Sequence, residues 1–136
     1  MNKIKNYQEI INSKIEKIRI QGTPNELYDP INYILNLKSK RVRPILSLLS
    51  YSLFKEDIDK ITEPAIALEF FHNFTLIHDD IMDKADIRRG EDTIHKKWNN
   101  NIGILAGDLL MIFAYKMLEN VEAKTFKKTF QRYNNI

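Results

Sequence analysis

The sequence predicts an all-α protein, and two observations support that fold class. Apolar residues recur at helical spacing in several long segments, and no stretch alternates apolar and polar residues as a half-exposed strand would. No internal repeat or low-complexity tract interrupts this pattern. With 136 residues, the chain is expected to form one domain at most.

The first part of the chain is predicted to form short helices. Isoleucines at near-helical spacing predict an amphipathic helix over residues 6–20. A second helix is expected over residues 28–37, after Asp29-Pro30. Pro44 would be tolerated in the first turn of a third helix, which is expected to end near Phe54.

A long helix is predicted over residues 62–82, with Glu63-Pro64 as its cap and first turn. Residues 86–101 are polar and contain Gly90, so they are expected to form a loop with one short turn at 94–98.

The segment 102–118 is apolar almost all round, which predicts a central, buried helix. The remainder, residues 123–136, is basic and aromatic.

Composition narrows the classes of function. The net charge of +3 is mild and the basic residues are scattered, apart from residues 38–43, which gives little support to nucleic-acid binding. The chain has no cysteine, which excludes thiolate metal sites and thiol nucleophiles. No run reaches the roughly 18 apolar residues of a membrane span, so we expect no span and a cytoplasmic location.

The run from Leu76 to Asp83 carries the strongest chemical signal. On a helix, Asp79 and Asp83 share a face one turn apart, and His72 lies two turns before Asp79 on the same stripe. Acids at a helix C-terminus oppose its dipole and repel each other, so a bound cation explains them better than solvent does. Carboxylates suit Mg²⁺, which shares its coordination with phosphate oxygens, and the neighbouring Arg88-Arg89 would suit a diphosphate.

Other polar residues have a plain alternative explanation. His72 taken alone would be a core histidine, and its alignment with Asp79 favours a functional role. The basic run is either a solvated charge cluster or an anion site near a helix start, and it comprises Lys38, Lys40, Arg41 and Arg43.

Together these motifs resemble those of the trans-isoprenyl diphosphate synthases, the polyprenyl synthetase family. Asp79-Asp80-Ile81-Met82-Asp83 is similar to the family's first Asp-rich motif, DDxxD, and Arg88-Arg89-Gly90 matches the RRG that follows it. Lys40-Arg41-Val42-Arg43-Pro44 resembles the KRxRP element. The resemblance implies the N-terminal part of an isoprenoid-synthase-type helical bundle, with residues 1–136 as a single partial domain.

The resemblance also implies an activity, the Mg²⁺-dependent condensation of an allylic diphosphate with isopentenyl diphosphate. It implies that Phe74, five residues before Asp79, limits the product to farnesyl or geranylgeranyl length, although Phe74 would serve equally as core packing. Members of the family are dimers, so the resemblance implies a homodimer or association through exposed helical faces. The implied residue roles are Mg²⁺ binding by Asp79, Asp80 and Asp83, contact with the allylic diphosphate by Arg88, and binding of the isopentenyl diphosphate by Lys40, Arg43, His72 and Arg89.

The sequence departs from the family pattern at two places. Lys38-Ser39 stands where the family usually has two glycines, and the chain ends at Ile136, before the family's second Asp-rich motif. A catalytically incomplete fragment or a partner subunit is therefore an alternative. Two further alternatives are an HD-type metal phosphohydrolase, suggested by His78-Asp79, and a basic helical binding module, which would leave the aspartates unexplained.

Overall fold

The computed structural model describes residues 2–135, with the side chains of Phe126, Thr129, Phe130 and Tyr133 left aside. Helices make up most of that range, which confirms the predicted all-α class. The element order is α1 (Lys3–Lys17), α2 (Asn25–Asn36), α3 (Val42–Tyr51), α4 (Asp59–Met82), β1 (Ile87–Arg88), β2 (Glu91–Asp92), α5 (Ile94–Lys97), α6 (Asn100–Lys116) and α7 (Ala123–Asn134).

Helix α4 is the centre of the bundle. It packs most extensively against α6 and also against α3, while α2 packs on α6. The core where these helices meet includes Ile31, Leu48, Phe70, Ala106 and Leu110, all fully or almost fully buried. This packing holds the C-terminal end of α4, which carries the aspartates, in place.

Pro30 and Pro64 lie beyond the first turn of their helices, which makes two predicted helix starts wrong. Helix α2 begins at Asn25 and contains Pro30, and α4 begins at Asp59 and contains Pro64. An internal proline removes one backbone hydrogen bond. Pro30 is buried, so packing against the core outweighs the local preference that placed the helix start after it.

Residues 86–101 are more ordered than the predicted loop. Strands β1 and β2 pair antiparallel, with Ile87 opposite Asp92 and Arg88 opposite Glu91. The turn between them has φ of 56° at Arg89 and 85° at Gly90, and two consecutive positive values are typical of a type I′ hairpin turn. The predicted short turn near residue 94 is confirmed as α5.

Helix α6 is less buried than its composition predicted. One face, with Gly103, Ala106 and Gly107, packs inward, but Leu105 and Ile112 are 52% and 57% exposed. The prediction of burial all round was wrong for this chain, because no described element covers the second face. None of the described helices is both long and apolar enough to cross a bilayer.

Candidate active site

The acidic motif lies at the end of α4, where the chain reverses direction. Asp79 and Asp80 are in the last turn, and Asp83 caps the helix, donating its N–H to the Asp79 carbonyl at 2.8 Å. Lys84 follows with a φ of 53°, and the Ala85 N–H donates to the Asp80 carbonyl at 2.9 Å. The helix therefore ends in a Schellman motif, with Lys84 in the left-handed region, and this motif turns the next segment back toward Asp80.

Asp80 differs from the other two aspartates because it is buried. Its carboxylate accepts hydrogen bonds from Arg88 Nε at 2.7 Å and from Arg88 Nη2 at 2.6 Å, and the residue is 3% exposed. This bidentate pair occupies both carboxylate oxygens, and the hydrogen bond raises the pKa of Arg88. Asp79 and Asp83 are exposed, so they are the two aspartates open to a ligand from solvent.

The described residues contain no group of three acidic or histidine side chains placed to hold a metal ion. The three aspartates of the motif therefore do not converge in this chain. Asp79 and Asp83 still fit Mg²⁺, because this ion commonly takes one or two protein carboxylates and fills its other positions with water and substrate phosphate oxygens.

The hairpin that carries Arg88 is anchored at its base and on one side. Thr93, fully buried, donates its hydroxyl to the Ala85 carbonyl at 2.7 Å. Tyr33 of α2 donates its hydroxyl to the Asp92 carbonyl at 2.8 Å, and burial raises the pKa of Tyr33. The anchors hold β2 and, through the strand pairing, Arg88.

Arg89, in the hairpin turn, has a buried guanidinium nitrogen without a partner. Its Nη1 is shielded from solvent and makes no hydrogen bond. Burial lowers the pKa of Arg89, and the positive charge of Arg41 lowers it further, while Glu69 opposes both. Because an unpaired buried cationic donor is costly, this position favours an anion.

His72 lies within reach of the same charges. Burial lowers the pKa of His72 below its ordinary value of 6.5, and Arg43 lowers it next, with smaller contributions from Arg89 and Arg88. We call Arg43, His72, Arg88 and Arg89 the basic cluster, because the charges of the three arginines act on His72.

The structure also identifies a residue that the sequence reasoning missed. Glu69 is 2% exposed and accepts Arg41 Nη1 at 2.9 Å, and Arg41 is itself 4% exposed. A single acid in the apolar stretch 65–71 was a usable signal for Glu69. Nothing in the basic run distinguishes buried Arg41 from Lys40, which is exposed and is not among the charges that shift the pKa of His72.

Phe74 is half-buried in an aromatic group on α4. Its ring packs edge-on against Phe71 and His78, with centroids 5.3 and 5.0 Å away. His78 in turn faces α6, where Nε2 lies 3.1 Å from the Ile104 carbonyl oxygen. His78 and Asp79 therefore face different surroundings, which argues against the metal pair of an HD-type phosphohydrolase.

Comparisons with known proteins agree with this geometry. The family model described as Polyprenyl synthetase matches residues 24–135. A geranylgeranyl diphosphate synthase of Methanosarcina mazei is 38% identical over 122 residues, which cover 90% of this chain and 38% of that protein. The chain thus spans well under half the length of this relative.

Solved structures with the same fold give a consistent result. A crystal structure of a geranylgeranyl pyrophosphate synthase is 44% identical with a TM-score of 0.90, and the match covers 97% of this chain and 41% of that one. The geranylgeranyl pyrophosphate synthetase from Pyrococcus horikoshii is 34% identical with a TM-score of 0.86, covering 96% and 42%. The helical arrangement, the order of the motifs and the match over most of the chain together show that this chain belongs to the polyprenyl synthetase family.

Proposed function

We propose that this chain contributes the first half of a prenyltransferase site that joins an allylic diphosphate to isopentenyl diphosphate. The relatives named as geranylgeranyl diphosphate synthases support this reaction class. The observation that carries the proposal is the unpaired, buried Nη1 of Arg89 beside other cations. A diphosphate supplies the acceptor that this donor lacks.

The two diphosphates would bind on two sides of the Arg88–Asp80 pair. Asp79 and Asp83 are the exposed acids, and we assign them to Mg²⁺ and, through it, to the allylic diphosphate. Asp80 acts in this proposal by holding Arg88, because each of its oxygens accepts a hydrogen bond from Arg88 and the residue is buried. The isopentenyl diphosphate is assigned to Arg43, His72 and Arg89, with Lys40 reaching it from the surface.

In this reaction the main contribution of the protein would be electrostatic stabilisation of the charge that develops. The allylic C–O bond breaks with its electron pair going to the diphosphate, the alkene of isopentenyl diphosphate attacks the allylic cation, and a proton then leaves to restore a double bond. Arg88, which we assign to the allylic diphosphate, would stabilise the negative charge that develops on this leaving group. Mg²⁺, when bound, would neutralise further charge on the same oxygens.

Calorimetric titration of purified 1–136 tests this proposal. We expect isopentenyl diphosphate to bind without Mg²⁺ and to lose affinity in Arg89→Met. An allylic diphosphate should need Mg²⁺ and should lose affinity in Asp79→Asn/Asp83→Asn. Equal binding by wild type and both variants would contradict the assignments.

Turnover is a separate measurement, because the chain spans only 38% of its relative. Labelled isopentenyl diphosphate is incubated with a C10 or C15 allylic primer and Mg²⁺, and extractable product is counted. Binding with product would favour an active enzyme. Binding without product would favour the alternative of a catalytically incomplete fragment or a partner subunit.

Product length and assembly are further parts of the proposal. We assign Phe74 to limiting the product to farnesyl or geranylgeranyl size, so Phe74→Ala in an active enzyme should lengthen it.

The exposed apolar face of α6 supports a homodimer. Light scattering should therefore give twice the chain mass for wild type and a smaller mass for Leu105→Glu. The cytoplasmic location stays a prediction, which cell fractionation tests.

A further inference from the structure

Arg41 is the member of the basic run that faces the interior. It is 4% exposed, while Lys40 and Arg43 are exposed. Its φ of 49° lies in the left-handed region, which residues with a side chain rarely adopt. We call this left-handed turn of the backbone at Arg41 the bend. Such a conformation persists only where surrounding contacts hold it.

Those contacts come from three helices. Arg41 Nε donates to Asn12 Oδ1 of α1 at 3.2 Å, and Nη2 donates to the Leu35 carbonyl near the end of α2 at 2.6 Å. Nη1 donates to Glu69 of α4 at 2.9 Å in a buried ion pair. The guanidinium therefore ties the bend to α1, α2 and α4 at the same time.

The bend determines where the neighbouring basic residues lie. Val42 begins α3 directly after Arg41, and Arg43 is in its first turn. Glu69 lies one turn before His72 on α4, and the Arg43 charge acts on His72. The Arg41–Glu69 ion pair thus connects the basic run to the helix that carries the rest of the site.

We infer that Arg41 is a positioning residue, which through its ion pair with Glu69 fixes the bend that presents its basic neighbours to a diphosphate. The ligand in this statement rests on the proposed function. The bend and its contacts do not depend on it.

The test separates positioning from simple stabilisation. Arg41→Met and Glu69→Met each leave a buried charge unpaired, so both should lower the melting temperature. The double variant Arg41→Met/Glu69→Met removes the pair without changing the net charge, and should melt above either single variant. If Arg41 only stabilises the fold, restored stability should restore diphosphate affinity.

The readouts are backbone ¹⁵N relaxation of residues 38–43 and calorimetric affinity for isopentenyl diphosphate and for inorganic diphosphate. In the double variant we expect residues 38–43 to become mobile and the affinity to fall about tenfold, because imprecise placement weakens charged contacts. The exposed pair Asp57 and Lys60 offers a matched control, and Asp57→Asn/Lys60→Gln should change neither readout.

An ordered segment in the double variant, or unchanged affinity despite a mobile segment, would overturn the inference. If the wild-type chain bound neither diphosphate, the proposed function would fail instead. The relaxation data would then still decide whether Arg41 holds the bend.

Discussion

Arg88 and Asp80 form a bidentate ion pair, at 2.7 and 2.6 Å, that fastens the hairpin to the last turn of α4. The pair explains why adjacent aspartates have different surroundings. Asp80 faces the hairpin and is buried, while Asp79, one residue earlier, is exposed. The motif thus contains one buried aspartate that is paired with Arg88 and two exposed aspartates.

Replacing Asp80 should therefore destabilise the fold more than replacing Asp79. Asp80→Asn leaves Arg88 with a poorer partner in a partly buried position, and we expect a loss of about 2 kcal/mol in the free energy of unfolding. Asp79→Asn removes an exposed negative charge from a helix C-terminus and should gain about 0.5 kcal/mol. Urea unfolding of both variants measures the difference, and equal effects would contradict the division of roles.

The His78 ring packs closely against α6, and this packing should require a glycine at position 107. A Cβ at Gly107 would overlap Nε2 of the His78 ring and come within 2.6 Å of its Cδ2. The ring cannot move freely, because Nε2 lies 3.1 Å from the Ile104 carbonyl oxygen and the ring packs against Phe74. Gly107→Ala should cost about 1–2 kcal/mol, despite the higher helix propensity of alanine.

The His78→Ala background provides the control for that prediction. With the ring removed, Gly107→Ala should instead stabilise the protein by about 0.5–1 kcal/mol, the helix-propensity gain alone. Thermal unfolding of the four proteins forms a double-mutant cycle. The same loss in both backgrounds would show that His78 is not the obstacle.

The hairpin turn should depend on the positive φ of Gly90, which glycine adopts more readily than other residues. Its φ is 85°, and an added Cβ would meet no atom within 4 Å. The expected cost of Gly90→Ala, about 1 kcal/mol, is therefore conformational and not steric crowding. Gly90→Asn should cost less, since asparagine tolerates this region.

Differential scanning calorimetry of the two Gly90 variants tests that ranking. Diphosphate affinity should fall in the same order, because the turn carries Arg89. If alanine and asparagine behaved alike, the positive φ would not be the cause.

His72 should make stability depend on pH. Burial first, and Arg43 next, lower the pKa of His72 below the ordinary value of 6.5. At pH values between the pKa of His72 in the folded state and its pKa in the unfolded state, the unfolded chain binds more protons than the folded one. The free energy of unfolding therefore rises with pH in that window, and it falls as the pH drops below 6.5 toward the pKa of the folded state.

Unfolding curves between pH 7.5 and pH 5 measure this dependence, and His72→Gln should flatten it. Bound diphosphate should reduce the dependence too, because a nearby anion favours protonated histidine. A variant as pH-sensitive as wild type would assign the dependence to other groups.

Local sequence patterns predicted the helices well wherever the pattern was long. The apolar spacing predicted the end of α4 at Met82, and the predicted helix start at Ile102 lies two residues after the observed start of α6 at Asn100. The asparagines that were predicted as loop include the helix cap, because the Asn99 side chain accepts the Ile102 N–H at 2.9 Å. Predictions based on proline were wrong at Pro30 and Pro64. At Pro30, burial within the bundle outweighed the loss of one backbone hydrogen bond.

The sequence by itself determined the helical class and the family motifs, because periodicity and the spacing of charged residues are local properties. Only the tertiary structure decided which charges are buried. Asp80 is buried and its neighbour Asp79 is exposed, although both are acidic. Arg41 is buried and its neighbour Lys40 is exposed, although both are basic. The physical reason is that burial depends on which distant element packs against a residue, here the hairpin against Asp80 and Glu69 of α4 against Arg41.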